Sequence, residues 1–299
     1  MGPASTDLRE MRFMRPLDGV LLGLLALVYL PALLDMAQVW RHTDYYSHGF
    51  LVPVVAFWAA TRLRRGLSRA PSARDPRGLL VIGAAIAAYL WGTLTGSLFA
   101  AGLSLVPTVA GALLYLRGSA WLRILVFPVG YLLFMVPLPE PWITPVIVEL
   151  QLLVSRWAVE LLQAAGMAIL RQGNVIHLPG GSSLFVAEAC SGITSIITLL
   201  PLGVFLAYFT ERTLARRLVL VAAVIPLAMF GNLSRVVATI VATQYVGVEA
   251  ATTGPLHEWA GVATYVLGCL ALLGVGALMR VLIPPTAEPE SNEPGIQPG

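Results

Sequence analysis

The stretch LVLVAAVIPLAMFGNLSRVVATI, residues 218–240, is apolar apart from a short polar island of Asn232, Ser234 and Arg235, with Thr239 beyond it. At about 1.5 Å per residue it makes roughly 35 Å of α-helix, enough to cross the hydrocarbon core of a bilayer. Seven further runs of this kind are present: 17–34, 49–65, 78–96, 98–116, 121–137, 189–209 and 258–280. The runs 78–96 and 98–116 are parted only by a tight polar turn near Thr93–Ser97. Residues 143–170 are apolar too, but Glu149, Gln151, Arg156 and Glu160 interrupt them. These charges favour an amphipathic helix at the interface or packed on the bundle, with a ninth span as the alternative. The expected fold class is therefore all-α. It is a polytopic membrane helical bundle of about eight transmembrane helices plus an interfacial amphipathic helix.

Composition agrees. The 299-residue chain is 57% hydrophobic and 12% charged, against about 25% charged in soluble domains. All 19 basic residues are arginine, and their placement orients the chain. With the N-terminus inside, Arg9, Arg12, Arg15, Arg62, Arg64, Arg65, Arg69, Arg74, Arg77, Arg117, Arg123, Arg212, Arg216, Arg217 and Arg280 fall on the cytoplasmic side. Arg41, Arg156 and Arg171 fall outside, and Arg235 falls within a span. This bias fits eight spans of an inner membrane with both termini cytoplasmic. A spanning 143–170 would turn the loop ERTLARR, 211–217, outward and spoil it.

The basic start and the apolar run from Leu17 to Leu34 resemble a signal peptide. No small-residue cleavage site follows, and a retained first helix is expected. The domain reading is a cytoplasmic N-terminal segment 1–16, a transmembrane domain 17–282 with a periplasmic segment 138–188, and a cytoplasmic tail 283–299. The tail's Pro, Glu, Ser and Gly content predicts disorder. GxGxxG and GxxxxGK loops are absent from the sequence, as is a basic patch with interleaved aromatics, so a nucleotide or nucleic-acid function has no support. Cys190 and Cys269 are far apart and outside any CxxC unit, which argues against a disulfide framework, a zinc cluster or haem attachment. No cofactor and no metal are expected.

Three segments carry polar groups that a purely structural bundle does not need. In FVAEACSGITSIITLL, 185–200, Cys190 lies at the outer mouth of its helix, and Ser191, Thr194, Ser195 and Thr198 continue a polar stripe. The preceding 171–188, with Gly173, Pro179, Gly180 and Gly181, reads as extended and turn-rich. In GNLSRVVATI, 231–240, a helix starting near Leu218 puts Arg235 about 25 Å from its cytoplasmic end. Asn232, Arg235 and Thr239 share a face, above a kink site at Pro226. In GPLHEWAGVATYVLG, 254–268, His257 caps the outer start of the last span. Gly261, Thr264 and Gly268 follow on its face and let a neighbouring backbone approach. All three segments reach one depth on one side.

Each residue has a plainer reading. A lone membrane cysteine is usually a small hydrophobe, which is the reading preferred for Cys269 and the rival one for Cys190. His257 can cap a helix or pair with Glu258. An intramembrane arginine is costly and marks a functional site by default, although snorkelling competes. His177 reads as a loop residue.

Taken together, the three permit nucleophilic chemistry. A cation near Cys190 would lower its thiol pKa from about 8.5, and Arg235 or protonated His257 can supply it. Attack of the thiolate on an amide carbonyl gives a tetrahedral intermediate that collapses to a thioester. The rigid, permanently charged guanidinium of Arg235 suits the developing oxyanion. His257 alone of the three can shuttle a proton near neutral pH. The resting pair may be written either as thiol with neutral imidazole or as thiolate with imidazolium.

The blocks AEACSGITS (187–195), NLSR (232–235) and HEWAG (257–261), with YSHGFLVPV (46–54) and FPVGYLLFMVPLPE (127–140), resemble the exosortase/archaeosortase family in order and spacing. The resemblance covers roughly residues 40–270. It implies a membrane cysteine transpeptidase in which Cys190 is the nucleophile and Arg235 and His257 complete a sortase-like site. It implies partners as well: exported proteins with a C-terminal sorting signal, in the bacterial branch a Pro-Glu-Pro motif, a membrane helix and a basic cluster. The lipid bilayer and a lipid- or polysaccharide-linked acceptor complete the set, with no nucleic acid. His48, in a matching block, is expected to support the site or bind substrate. Glu188 would orient His257 or Arg235, and Asn232 would bond the substrate carbonyl or fix the arginine. Ser191 and Glu258 adjoin the main residues as further supporting candidates. The competing class is a non-enzymatic membrane component or transporter for exopolysaccharide export. It would need a polar path across the bundle, where LVLVAAVIPLAMF is almost wholly apolar.

Overall fold

The computed structural model describes residues 16–179, 181–187, 190–253 and 255–282, with the side chains of residues 16, 253 and 255–258 outside that description. The 1–16 segment (Pro16 backbone apart), the 283–299 tail and Glu188 lie outside it. The described chain is helical with one small sheet, as a polytopic membrane bundle requires. Six helices are long and apolar enough to cross a membrane, or up to seven if a bent pair counts as one span. The chain falls into two compact units, the first comprising residues up to Leu152 with Ala187–Thr198, the second Leu153–Val186 with Leu199 onward.

The first unit opens with α1 (Pro16–His42), a 3-10 turn (Asp44–Phe50), α2 (Leu51–Arg62) and α3 (Arg64–Arg69). The span expected at 49–65 is thus a short α-helix, entered from the 3-10 turn and broken at Leu63. Then come α4 (Arg77–Leu94) and α5 (Leu98–Arg117), separated at the turn expected there. Gly96 occupies that turn at φ +70°, and the Ser97 hydroxyl caps α5 by accepting from the amide of Ala100 at 3.3 Å. A small-residue seam lets the two helices touch. A Cβ on Gly78 would strike the backbone of Gly111 and Tyr115, and one on Gly92 would stand 2.6 Å from the amide nitrogen of Ala101.

Polar side chains within the apolar helices bond to one another. Tyr29 Oη of α1 bonds Ser104 Oγ at 2.9 Å and Thr108 Oγ1 at 2.7 Å on α5. At one end of the unit Arg74 donates to both carboxylate oxygens of Asp18 at 2.6 and 2.7 Å. The amide of Ala73 donates to the Arg117 carbonyl there, so these helix ends share one side. The unit continues through α6 (Ser119–Tyr131), a 3-10 segment (Leu132–Met135) and the first turns of α7 (Glu140–Ala164), bent by 77° from the preceding helix. Pro137 and Pro139 interrupt the helical hydrogen bonding at that bend. The run expected at 121–137 is therefore also a short helix with a 3-10 extension.

The second unit holds an antiparallel sheet where an extended, turn-rich stretch is expected: β1 (Leu170–Gln172), β2 (Val175–His177) and β3 (Ser183–Phe185). Arg171 pairs with Ile176, and Ile176 with Leu184. Ile169, Ile176, Leu178, Leu184 and Val186 are buried, while Leu170 and Phe185 are exposed. The rest of α8 (Ile193–Thr210) follows, then α9 (Leu214–Val246), α10 (Val248–Thr253) and α11 (Pro255–Leu282). Leu199 of α8 lies against Gly268 of α11, and Gly203 sits close to Val224 of α9. Large apolar side chains such as Leu218, Phe230 and Leu270 are left on the surface. So much exposed apolar area suits lipid and would be a liability in water.

Candidate active site

Cys190 belongs to the first unit and precedes its helix by three residues. Its amide donates to the Ala187 carbonyl at 2.9 Å in a short turn. Ser191 is fully buried, and its hydroxyl accepts from the amide of Ile193 at 3.2 Å, satisfying a donor at the mouth of α8. Gly192 takes φ +91°, a conformation that disfavours any residue with a Cβ. A capped, glycine-bent entry therefore sets the half-exposed Cys190 just ahead of a helix N-terminus.

Arg235 lies on α9, and the helix is longer than expected. Thr213 caps it by accepting from the amide of Arg216 at 3.5 Å, so it begins at Leu214, and it ends only at Gly247, which takes φ +83°. Three turns of helix follow Arg235, so its level cannot be read from helix length alone. A contact supplies the level instead. A methyl on Gly261 of α11 would stand 3.4 Å from Cζ and Nη2 of Arg235 and 3.6 Å from Nη1. The guanidinium thus lies over a backbone left bare by glycine, in the second turn of α11. Position 257 is one turn earlier on the same face of that helix. The seam continues below, where Gly231 meets Thr264. The structure brings together the NLSR and HEWAG blocks, as the small residues on α11 lead one to expect. Asn232 is fully buried in a row with Val236, Ile240 and Thr243, whereas Arg235 and Thr239 are half-buried beside that row. The side chains of His257 and Glu258 lie outside the described residues, as does Glu188.

His48 is placed in the first unit by contacts the sequence does not announce. Its Nε2 bonds the Phe134 carbonyl at 3.1 Å. Trp40 Nε1 donates to the Met135 carbonyl at 2.8 Å, and Tyr46 Oη accepts from the Leu138 amide at 2.8 Å. Gly49 leaves the space that the Trp40 indole fills. Three side chains thus stitch the YSHGFLVPV block onto the backbone of the FPVGYLLFMVPLPE block. Burial lowers the His48 pKa from its ordinary value, more than the carbonyl contacts raise it. With Nε2 donating to a carbonyl, buried Nδ1 has no hydrogen-bond partner, which is consistent with a neutral ring. Trp40 and Tyr46 were not singled out in the sequence. The only clue to them was that backbone freed at a proline-rich break needs partners.

Fold and site together define a multi-pass membrane protein with a turn-borne cysteine and an arginine set against the start of the last helix. A family model described as transmembrane exosortase (Exosortase_EpsH) matches residues 40–274. The chain belongs to the transmembrane exosortase family, a family of membrane cysteine transpeptidases that sort proteins. No curated protein and no solved structure matched the chain.

Proposed function

We propose that the protein is a membrane cysteine protease and transpeptidase that cleaves the C-terminal sorting signal of exported proteins, a Pro-Glu-Pro-type motif followed by a membrane helix. It transfers them to a lipid- or polysaccharide-linked acceptor at the periplasmic face of the inner membrane. The reading is carried by the family match across residues 40–274, which includes Cys190, Arg235 and His257. It is supported by the Arg235 guanidinium lying against Gly261, one helical turn from position 257.

In this mechanism the Cys190 thiolate attacks the scissile carbonyl, and Arg235 holds the oxyanion of the tetrahedral intermediate. His257 protonates the leaving amine, which departs with the membrane helix, and Cys190 remains as a thioester. His257 then takes a proton from the acceptor nucleophile, whose attack breaks the thioester and releases the Cys190 thiolate. Asn232 and Ser191, both buried, stiffen the backbone that presents Arg235 and Cys190. Glu188 and Glu258 orient the cation and the imidazole, and His48 braces the outer end of the first unit.

The test is a reconstituted enzyme given such a substrate. It should accumulate a covalent adduct at Cys190, and complete processing by Cys190→Ala would sink the proposal. Mass analysis of the mature C-terminus separates transfer, which adds a moiety, from hydrolysis, which leaves a free carboxylate.

A further inference from the structure

The end of the second unit remote from Arg235 gathers cations around one acid. The buried carboxylate of Glu211 is shared by Arg216 Nη1 at 3.7 Å and Arg280 Nε at 3.6 Å. Arg217 lies over the Tyr208 ring and donates to the carbonyls of Glu211 at 2.9 Å and Tyr208 at 3.4 Å. Arg212 is exposed in the connecting loop. Two guanidinium groups thus share the Glu211 carboxylate, a third caps the neighbouring carbonyls, and a fourth follows Glu211 in the chain.

Three features show that the charge is unbalanced. First, Arg216 and Arg217 occupy the first turn of the 33-residue α9, with no acid in that turn. The helix dipole is positive at this end and favours an anion. Second, the Glu211 pairs are loose. Arg74 and Asp18 meet at 2.6 Å and Arg156 and Glu160 at 2.8 Å in the same chain, the range of charge-assisted hydrogen bonds. Third, Arg216 is only 9% exposed, yet its buried Nη2 has no hydrogen-bond partner, and Glu211 Oε2, 3.7 Å from Nη1, has none either, so the pair does not satisfy itself. A buried guanidinium nitrogen normally has one. Beside the cluster, Leu214, Leu218, Leu278 and Leu282 expose aliphatic surface.

We infer that Arg212, Arg216, Arg217 and Arg280 form a binding site for the phosphodiester headgroup of an anionic phospholipid. The guanidinium forks match phosphate oxygens, and the exposed leucines lie alongside the acyl chains. The headgroup supplies a second anion to a cluster that has Glu211 alone as its acid among the described residues.

The test uses the full chain in detergent doped equally with phosphatidylglycerol and phosphatidylcholine, with retained lipid counted by native mass spectrometry. The wild type should retain phosphatidylglycerol selectively, and the exposed-residue double variant Arg212→Gln, Arg280→Gln should lose at least about tenfold of that retention. Arg64→Gln with Arg65→Gln removes equal charge from exposed positions elsewhere and should leave retention unchanged. Arg280→Lys alone, which spares the charge and removes the fork, should give a partial loss should the double variant aggregate. Equal retention of both lipids, or equal losses in the two double variants, would mark annular lipid only and overturn the site. Displacement by excess inorganic phosphate would make free phosphate the ligand. Selective binding only after removal of residues 283–299, which carry Glu288, Glu290 and Glu293, would assign the cluster to the chain's own tail. Either result overturns the lipid assignment.

Discussion

The two units are held by different means. In the first, side chains reach across to backbone: Trp40, Tyr46 and His48 each bond the 134–138 segment, and Tyr29 bonds two hydroxyls of α5. In the second, around α9 and α11, there is a seam of glycine and threonine, with one guanidinium laid over a glycine. Directional bonds fix a geometry and tolerate little substitution. A glycine seam instead fixes closeness and is sensitive mainly to volume. The first unit thus presents the thiol from a capped, glycine-bent turn, and the second lays its guanidinium along a helix backbone left bare by Gly261. If that is right, mutations in the two units should fail in different ways: by lost bonds in one and by steric displacement in the other.

The largest effect should fall on Cys190. Cys190→Ala should lower processing by roughly three orders of magnitude or more, since a nucleophile has no substitute, while Cys269→Ala should leave it near wild type. Gel-based processing assays measure both. Next comes the seam. Arg235→Lys keeps the charge and loses the fork, so kcat/KM should fall about a hundredfold. Gly261→Leu should approach that loss without altering the arginine, by pushing the guanidinium aside. Gly261→Ala, whose methyl meets Arg235 at ordinary contact distance, should cost only about threefold. A Gly261→Leu enzyme of normal activity would show that the glycine does not position Arg235.

The long helices were legible in the sequence because an uninterrupted apolar run admits one solution in lipid. The helical hairpin at Thr95–Ser97 was legible for a similar reason, since Gly96 and Ser97 are turn and cap residues. The seam was also foreseeable, because Gly261, Thr264 and Gly268 recur on one helix face. What escaped was tertiary. Runs 49–65 and 121–137 look like full spans, and nothing local shows α2 stopping at Arg62 or the 3-10 turn before it docking on residues 134–138. The depth of Arg235 could not be had from hydropathy, which starts the helix at Leu218, because Thr213 caps it earlier and Gly247 ends it later. Three-residue strands fell below any periodicity, and only their glycine turns showed.

The first unit's bonds predict a smaller, pH-dependent effect. The folded state favours neutral His48, so its pKa lies below that of the unfolded chain, about 6.5. Above that value both states are neutral and the contribution is fully present. As pH falls below it, the unfolded chain takes up the proton first and stability declines until the folded-state value is passed. Thermal unfolding in detergent should therefore lose stability between pH 6.5 and mildly acidic pH. His48→Gln should flatten that slope relative to wild type and leave the neutral-pH unfolding free energy within about 1 kcal/mol of it. An unchanged slope would show that the ring is not held neutral.

Trp40→Phe should give the smallest change, and its manner of failing separates bond from volume. Phenylalanine keeps an aromatic ring above Gly49 and loses only the donor to the Met135 carbonyl, which costs about 1 kcal/mol when the acceptor stays buried. Gly49→Ala leaves that donor in place but drives a methyl into the indole, so it should cost more, about 2 kcal/mol. If both effects come from docking the 3-10 turn on residues 134–138, the double variant should cost less than the two singles combined, because a displaced indole has already lost its carbonyl. Additive losses would mean that ring and glycine act independently. The first unit would then rest on packing, as the seam between α9 and α11 does.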